Sequence, residues 1–298
     1  MSQNYRVIIL LKPGDNQPAL DRAAQFARFL PEIEIVACRV INEFDSQQID
    51  KIKAQTEREI ARIGASYPSI KNLIPLVIFS ENVPDTFVNE ANAGHFDLAI
   101  ISANKRNTIK DLFISTIDCC IMRQIAVPLL VVKDANAPQR LGRAILLAID
   151  FDEDDHDFDV DEKLYEKARI FADHFNGEIH VANVVSPLHH GLMSANTTMS
   201  AIISNNSDSR KDLHNKLLKE FAVKHDIGDD RTHVLIGRVD EEIPKLCRNL
   251  EARMVCMETS NKTGLLGSIN CNASELVLEQ IKGDVFIVNA RESRCECD

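Results

Sequence analysis

Tryptophan is absent, and aromatic residues make up only 5% of the 298 positions while apolar residues reach 45%. Aliphatic side chains must therefore fill the interior, as in α/β folds whose sheets are built from Val, Ile and Leu. No run approaches the roughly 18 apolar residues of a membrane span. The apolar stretch near the N-terminus is cut short at Lys12, so no export signal is expected and the protein reads as cytoplasmic. Positive charge is in deficit, with a formal net charge of −11. Such a surface repels phosphate backbones and anionic lipid, so neither nucleic acid nor a membrane is an expected partner. The eight cysteines include no C-x-x-C pair and are expected to be reduced thiols. Cys38 and Cys256 fall in apolar runs suited to the core. Adjacent Cys119-Cys120 and the tail's Cys295-Glu296-Cys297 are the nearest approach to a metal or redox motif, and no metal site is expected. A G-x-S-x-G elbow, a P-loop and an H-E-x-x-H pair are all missing, which removes the common nucleophilic, phosphoryl-transfer and zinc-hydrolase signatures.

What is present is alternation. Apolar runs at 5–11, 33–41, 73–79, 97–102 and 128–132 read as strands. Between them lie helical patterns: one opened by Asn16 and Pro18, one carrying Ile49, Ile52, Thr56, Ile60 and Ile63, a short one at 84–93 and one near 116–124. Five strands and four helices in strict alternation predict a doubly wound parallel sheet. The second half repeats the order, with strands at 143–150, 178–185, 232–237, 253–258 and 284–289 and helices at 164–175, 209–225, 240–250 and 271–281. Val77–Lys133 overlays His233–Asn289 at a constant offset of 156 residues, so the chain reads as a tandem repeat. The polar stretch 134–142 suits a linker, which gives domains at 1–137 and 138–298.

Gln17-Pro18-Ala19-Leu20, Asp118, Arg123 and Pro128 in the first half resemble the universal stress protein family, specifically its tandem E-type members. In the second half the likeness is carried by Thr232-His233-Val234, Val255 to Met257, Thr259, Thr263-Gly264, Asn272 and Glu275. The resemblance implies two five-stranded parallel sheets of order 3-2-1-4-5, paired through their fifth strands as an internal pseudo-dimer, with a homodimer or an unknown protein partner as further assembly. It also implies a ligand crevice where strands 1 and 4 diverge. In nucleotide-binding members an Asp ends strand 1, and a glycine-bearing loop of pattern G-x-x-G-x9-G-[ST] after strand 4 receives the phosphates of ATP or AMP.

Both halves depart from that pattern. In the first, Lys12 stands at the Asp position, Ser102, Lys105 and Ser115 stand at the glycines, and Thr116 follows. In the second, Asp150 is kept, but Glu258, Asn261 and Cys271 replace the glycines, with Asn272 after them and Thr259 beside Glu258. Gly267-Ser268 offers a final Gly-Ser only with a four-residue deletion. Asp150 and Glu258 end neighbouring strands and are expected to lie close, where like charges about 4 Å apart repel by about 4 kcal/mol at an effective dielectric of 20. The adjoining stretch 150–162 holds nine acids in thirteen residues and reads as a solvated acidic loop. Strong ATP binding is therefore not expected, and no catalytic residue is assigned; a weak metal-dependent ATPase is the enzymatic alternative. The first-half crevice is mildly basic through Lys12, Lys105 and Arg106, and reads either as a small-anion site or as a closed structural unit.

Residues 186–208 interrupt the second half without a clear strand or amphipathic helix, and Leu188, Leu192, Met193, Met199, Ile202 and Ile203 must bury against something. They read as a lid over an apolar small-molecule pocket or as a seal between halves. His189-His190 at its start reads as a surface pair.

Overall fold

A computed structural model describes residues 5–30, 32–103, 117–133, 142–151, 158–185, 197–259 and 273–289. The first half runs β1 (Arg6–Leu10), α1 (Pro18–Phe26), β2 (Glu34–Ile41), α2 (Ile49–Gly64), β3 (Asn72–Phe79), α3 (Val83–Ala93), β4 (Leu98–Ser102), α4 (Ile117–Gln124) and β5 (Leu129–Val132). The second half runs β6 (Ala144–Ile149), α5 (Phe158–Phe175), β7 (Glu178–Val185), α6 (Thr197–Lys224), β8 (Thr232–Ile236), α7 (Val239–Asn249), β9 (Met254–Thr259), α8 (Ala273–Gln280) and β10 (Asp284–Asn289).

All ten strands pair into one sheet of order β3-β2-β1-β4-β5-β10-β9-β6-β7-β8. Each half has the expected 3-2-1-4-5 order with parallel pairing throughout. The halves join where β5 meets β10 antiparallel, pairing Val131 with Val285, Leu130 with Phe286 and Leu129 with Ile287. Each apolar fifth strand thereby covers the edge the other would leave open.

The pleat divides the interior into two layers. Val7, Ile9, Ile145, Leu147, Cys256 and Phe286 face a core closed by α1, α2, α5 and α6. Ile8, Leu146, Val255 and Val285 face the opposite core, closed by α3, α4, α7 and α8. Both cores run through the junction without a break. At the crossing of α1 and α5, Phe26 meets Phe171 at 5.4 Å and Phe175 at 5.5 Å between ring centroids. Beside them Arg22 Nε donates to Asp284 Oδ2 at 2.7 Å, an ion pair whose side chains are only 3% and 2% exposed.

Two expectations are corrected. Residues 158–162, expected in a solvated loop, form the first turns of α5, with Asp159 and Asp161 in the first turn and Asp161 buried. Acid there faces the positive end of the helix dipole, so it starts a helix rather than only repelling anions. Residues 197–208, expected to be irregular, form the beginning of α6. Residues 186–196, His189 and His190 among them, lie outside the described residues, as do 152–157, the linker residues 134–141 and the tail cysteines.

Candidate functional site

The crevice of a doubly wound sheet lies beyond the C-terminal ends of its first and fourth strands. In the first half these ends are Leu10 and Ser102. The connection from β1 to α1 is drawn tight by Gln17, which is 1% exposed. Its Oε1 accepts from the Lys12 amide at 3.0 Å, and its Nε2 donates to the carbonyls of Lys12 and Gly14, each at 2.6 Å. Gly14 takes a φ of 91°, which its missing side chain permits. Lys12 Nζ reaches across the crevice and donates to the Ala103 carbonyl just past β4, at 2.8 Å. Burial holds its ammonium below the ordinary lysine value, with Asp118 pulling the other way. Ser102 Oγ accepts from the Ala19 amide at 3.0 Å and so takes a backbone donor in the first turn of α1. The two expected site residues that can be placed here are thus both engaged with the protein's own backbone. Lys105, Ser115 and Thr116 lie outside the described residues.

In the second half the corresponding ends are Ile149 and Thr259. Asp150 is exposed and Glu258 partly so. The register pairs Ala148 with Met257, so its continuation sets Glu258 beside Ile149. Ile145, Leu147, Ile149 and Phe151 face the α5–α6 layer, which turns Asp150 to the α7–α8 layer. Met254 and Cys256 also face α5–α6, which turns Glu258 to that side. The two carboxylates therefore point to opposite faces of the sheet, and the close repulsion expected between them does not arise from this register. Thr259 ends β9; Asn261, Cys271 and Asn272 lie outside the described residues.

Beneath this crevice lies a polar chain absent from the sequence-based assignment. Asn183, with no exposure, donates through Nδ2 to the Ile149 carbonyl at 2.9 Å. Its Oδ1 lies 2.8 Å from Nδ1 of buried His214 on α6, so His214 must carry a proton on Nδ1. Phe151 meets the His214 ring edge-on at 5.9 Å. The signal was present: Asn183 is the one amide in the apolar run of β7, and His214 stands four residues before Leu218 on the buried stripe of α6. In the first half, Arg39 holds the position of Asn183, since Arg39 pairs level with Val77 one residue past the pairing of Leu10 with Cys38. Arg39 is 8% exposed, and its Nε and Nη2 have no hydrogen-bond partner among the described residues. The halves therefore share a scaffold and differ in chemistry at the same place.

Cys38 and Cys256 are fully buried, as expected, and burial pushes the Cys38 thiol up to about 12, with Glu90 adding to it. Among the described residues no three His, Cys, Asp or Glu side chains gather as a metal site. No helix there is long and apolar enough to cross a membrane.

The family model for the Universal stress protein family matches residues 142–289. Universal stress protein E of Salmonella typhi is 24% identical over 311 aligned residues, which cover 98% of this chain and 96% of the relative. A functionally unknown protein of Pseudomonas aeruginosa PAO1 superposes with a TM-score of 0.68 at 20% identity, over 96% of this chain and 92% of its own. A universal stress protein from Archaeoglobus fulgidus superposes with a TM-score of 0.65 at 15% identity, over 96% and 97%. The structural likenesses speak to the fold, and the fold is the one derived above from strand order. With the family model on the second half and a relative of that family aligned along nearly all of both, the chain belongs to the universal stress protein family.

Proposed function

We propose that this is a two-domain stress-response protein, with domains at 1–137 and 138–298, acting in the cytoplasm as a ligand sensor or protein-interaction module without strong ATP binding. The observation that carries this reading is the first-half crevice, where Lys12 and Ser102 are bonded to the Ala103 carbonyl and the Ala19 amide. An incoming phosphate would have to break those bonds and would gain no glycine-lined cradle in return. The first domain then serves as a closed structural partner. Ligand response falls to the second, around Asp150, Glu258 and Thr259 above the Asn183–His214 chain.

The test is native mass spectrometry of freshly purified protein before and after MgATP. Unchanged mass is expected, or a co-purified mass other than a nucleotide. A stoichiometric ATP or AMP adduct would overturn the reading in favour of a nucleotide sensor with weak ATPase activity.

A further inference from the structure

The junction of the halves has the geometry of a twofold axis. At the offset of 156 residues that relates the two sequences, Leu130 corresponds to Phe286. These two pair with each other, while Val131 pairs with Val285 and Leu129 with Ile287. Equivalent residues meeting each other is the mark of an isologous contact, the arrangement of a symmetric dimer. Side chains at equivalent positions also cross the axis in both directions. Lys133 Nζ donates to the Leu278 carbonyl in α8, and Asn289 Nδ2, at the equivalent position, donates to the Ile125 carbonyl just past α4.

A surface so nearly self-complementary has three ways to pair: first half with second, first with first, and second with second. In two chains the last two can be satisfied together, closing a domain-exchanged dimer in which every β5 and β10 edge is covered. The antiparallel backbone pairing of the fifth strands does not by itself distinguish these outcomes.

The ion pair Arg22–Asp284 does distinguish them. Buried Leu20, Ala23 and Phe26 of α1 match Tyr165, Ala168 and Phe171 of α5, a register in which the equivalent Phe26 and Phe171 meet each other, and Arg22 therefore corresponds to Lys167. Asp284 corresponds to Pro128. The symmetry mate of the contact is therefore partly exposed Lys167 against Pro128, which holds no charge pair. A first-half self-pair would set Arg22 against Pro128 twice. Asp97 corresponds to Arg253, whose charge is felt at Arg22, but it is held by the Arg6 amide and does not take the place of Asp284. A second-half self-pair would set Asp284 against partly exposed Lys167 twice, with the Arg253 charge also beside it, so the acid there keeps a cation. We propose that the buried Arg22–Asp284 pair selects pairing within one chain by rejecting the first-half self-pair, and with it the domain-exchanged dimer that requires both self-pairs. A buried charge left without its partner costs more than a made pair contributes, so discrimination comes chiefly from the wrong pairings.

The on-axis residues supply a direct readout in the full-length chain. Leu130→Cys brings two thiols together only in a first-half self-pair, whatever other contacts copies of the protein make. The chain is unfolded, refolded at high protein concentration and oxidised, and the intermolecular disulfide joining position 130 of two copies is quantified by peptide mass spectrometry. In the Leu130→Cys background the crosslink is expected to be scarce, and to rise at least tenfold when Arg22→Met and Asp284→Leu are added. Pro128→Asp, combined with Lys167→Ala so that the native junction gains no new pair, gives Arg22 an acid in the self-pair and should raise the crosslink as well, and Arg22→Met should cancel that gain. An intramolecular disulfide in Leu130→Cys/Phe286→Cys versions of each variant shows that the junction still folds. Equal crosslinking at position 130 with and without the ion pair, or no gain from Pro128→Asp with Lys167→Ala in a chain that forms the intramolecular disulfide, would overturn the proposal.

Discussion

Asn183 meets two obligations at once, the Ile149 carbonyl and His214 Nδ1, from a position without exposure. Asn183→Ala removes both bonds from a buried place, which is expected to cost about 2–4 kcal/mol in urea unfolding. A loss below about 1 kcal/mol would mean that another group takes over the bonds. The pair of His180 on β7 and His233 on the edge strand β8 makes a different prediction. His180 Nδ1 and His233 Nε2 lie 3.1 Å apart, with the rings stacked. Burial holds His180 below 6.5, aided by Arg231 and opposed by Glu178 and Asp230. Burial also lowers His233, aided by His180 and opposed by Asp230. The unfolded chain then binds protons first, so stability contributed by this pair falls as pH drops below about 6.5. His180→Leu should lower the urea midpoint less at pH 5.5 than at pH 7.5, or raise it at the lower pH. An equal effect at both values would remove the pair as a source of acid sensitivity. Residue roles of this kind were the least legible part of the sequence. An Asn in an apolar run shows that a polar partner exists, but not that the partner is a histidine on the next helix.

Among the elements, strands were read almost to the residue, because continuous apolar runs bounded by polar segments leave little freedom of register. Helix starts were harder. Acid-rich residues at the start of α5 read as loop, although the helix dipole favours acids in a first turn. The start of α6 is rich in Ser, Thr and Asn, which pattern counting assigns to loops although a long helix can carry them. The strand ends that carry the candidate residues were legible, but not the faces those side chains take, since the faces of Asp150 and Glu258 depend on a register one residue wide. At the sheet's margin β3 presents the uncharged run NLIPLVIF as an edge, with Ile74 40% exposed and Pro75 beside Ala37 of β2. Pro75 withholds a donor from any strand that would add there. Pro75→Val is expected to leave the unfolding midpoint nearly unchanged while speeding aggregation on mild heating several-fold by light scattering. An unchanged aggregation rate would show that the β3 edge is protected by other means.

For the molecule as a whole, two cores that cross the junction and a buried ion pair across it predict that the halves unfold together. Arg22→Ala takes from buried Asp284 the guanidinium it meets on α1 and should destabilise the chain by about 3–5 kcal/mol. The paired replacement Arg22→Met/Asp284→Leu should be as stable as the parent chain or more so, because it removes the desolvation cost with the charges. Calorimetry on the same proteins would show one transition for the parent; two well-separated transitions would mean that the junction couples the halves only weakly.

The antiparallel meeting of β5 and β10 also sets direction. Every strand of the second half runs opposite to those of the first, so the two crevices open at opposite poles of the molecule. No single small ligand can span them. One pole carries Lys12, bonded inward; the other carries Asp150 and Glu258 beside an acid-rich connection. The chain is thus vectorial. A macromolecule that grips one pole leaves the other displayed outward, and a signal received at one reaches the other only through the shared sheet.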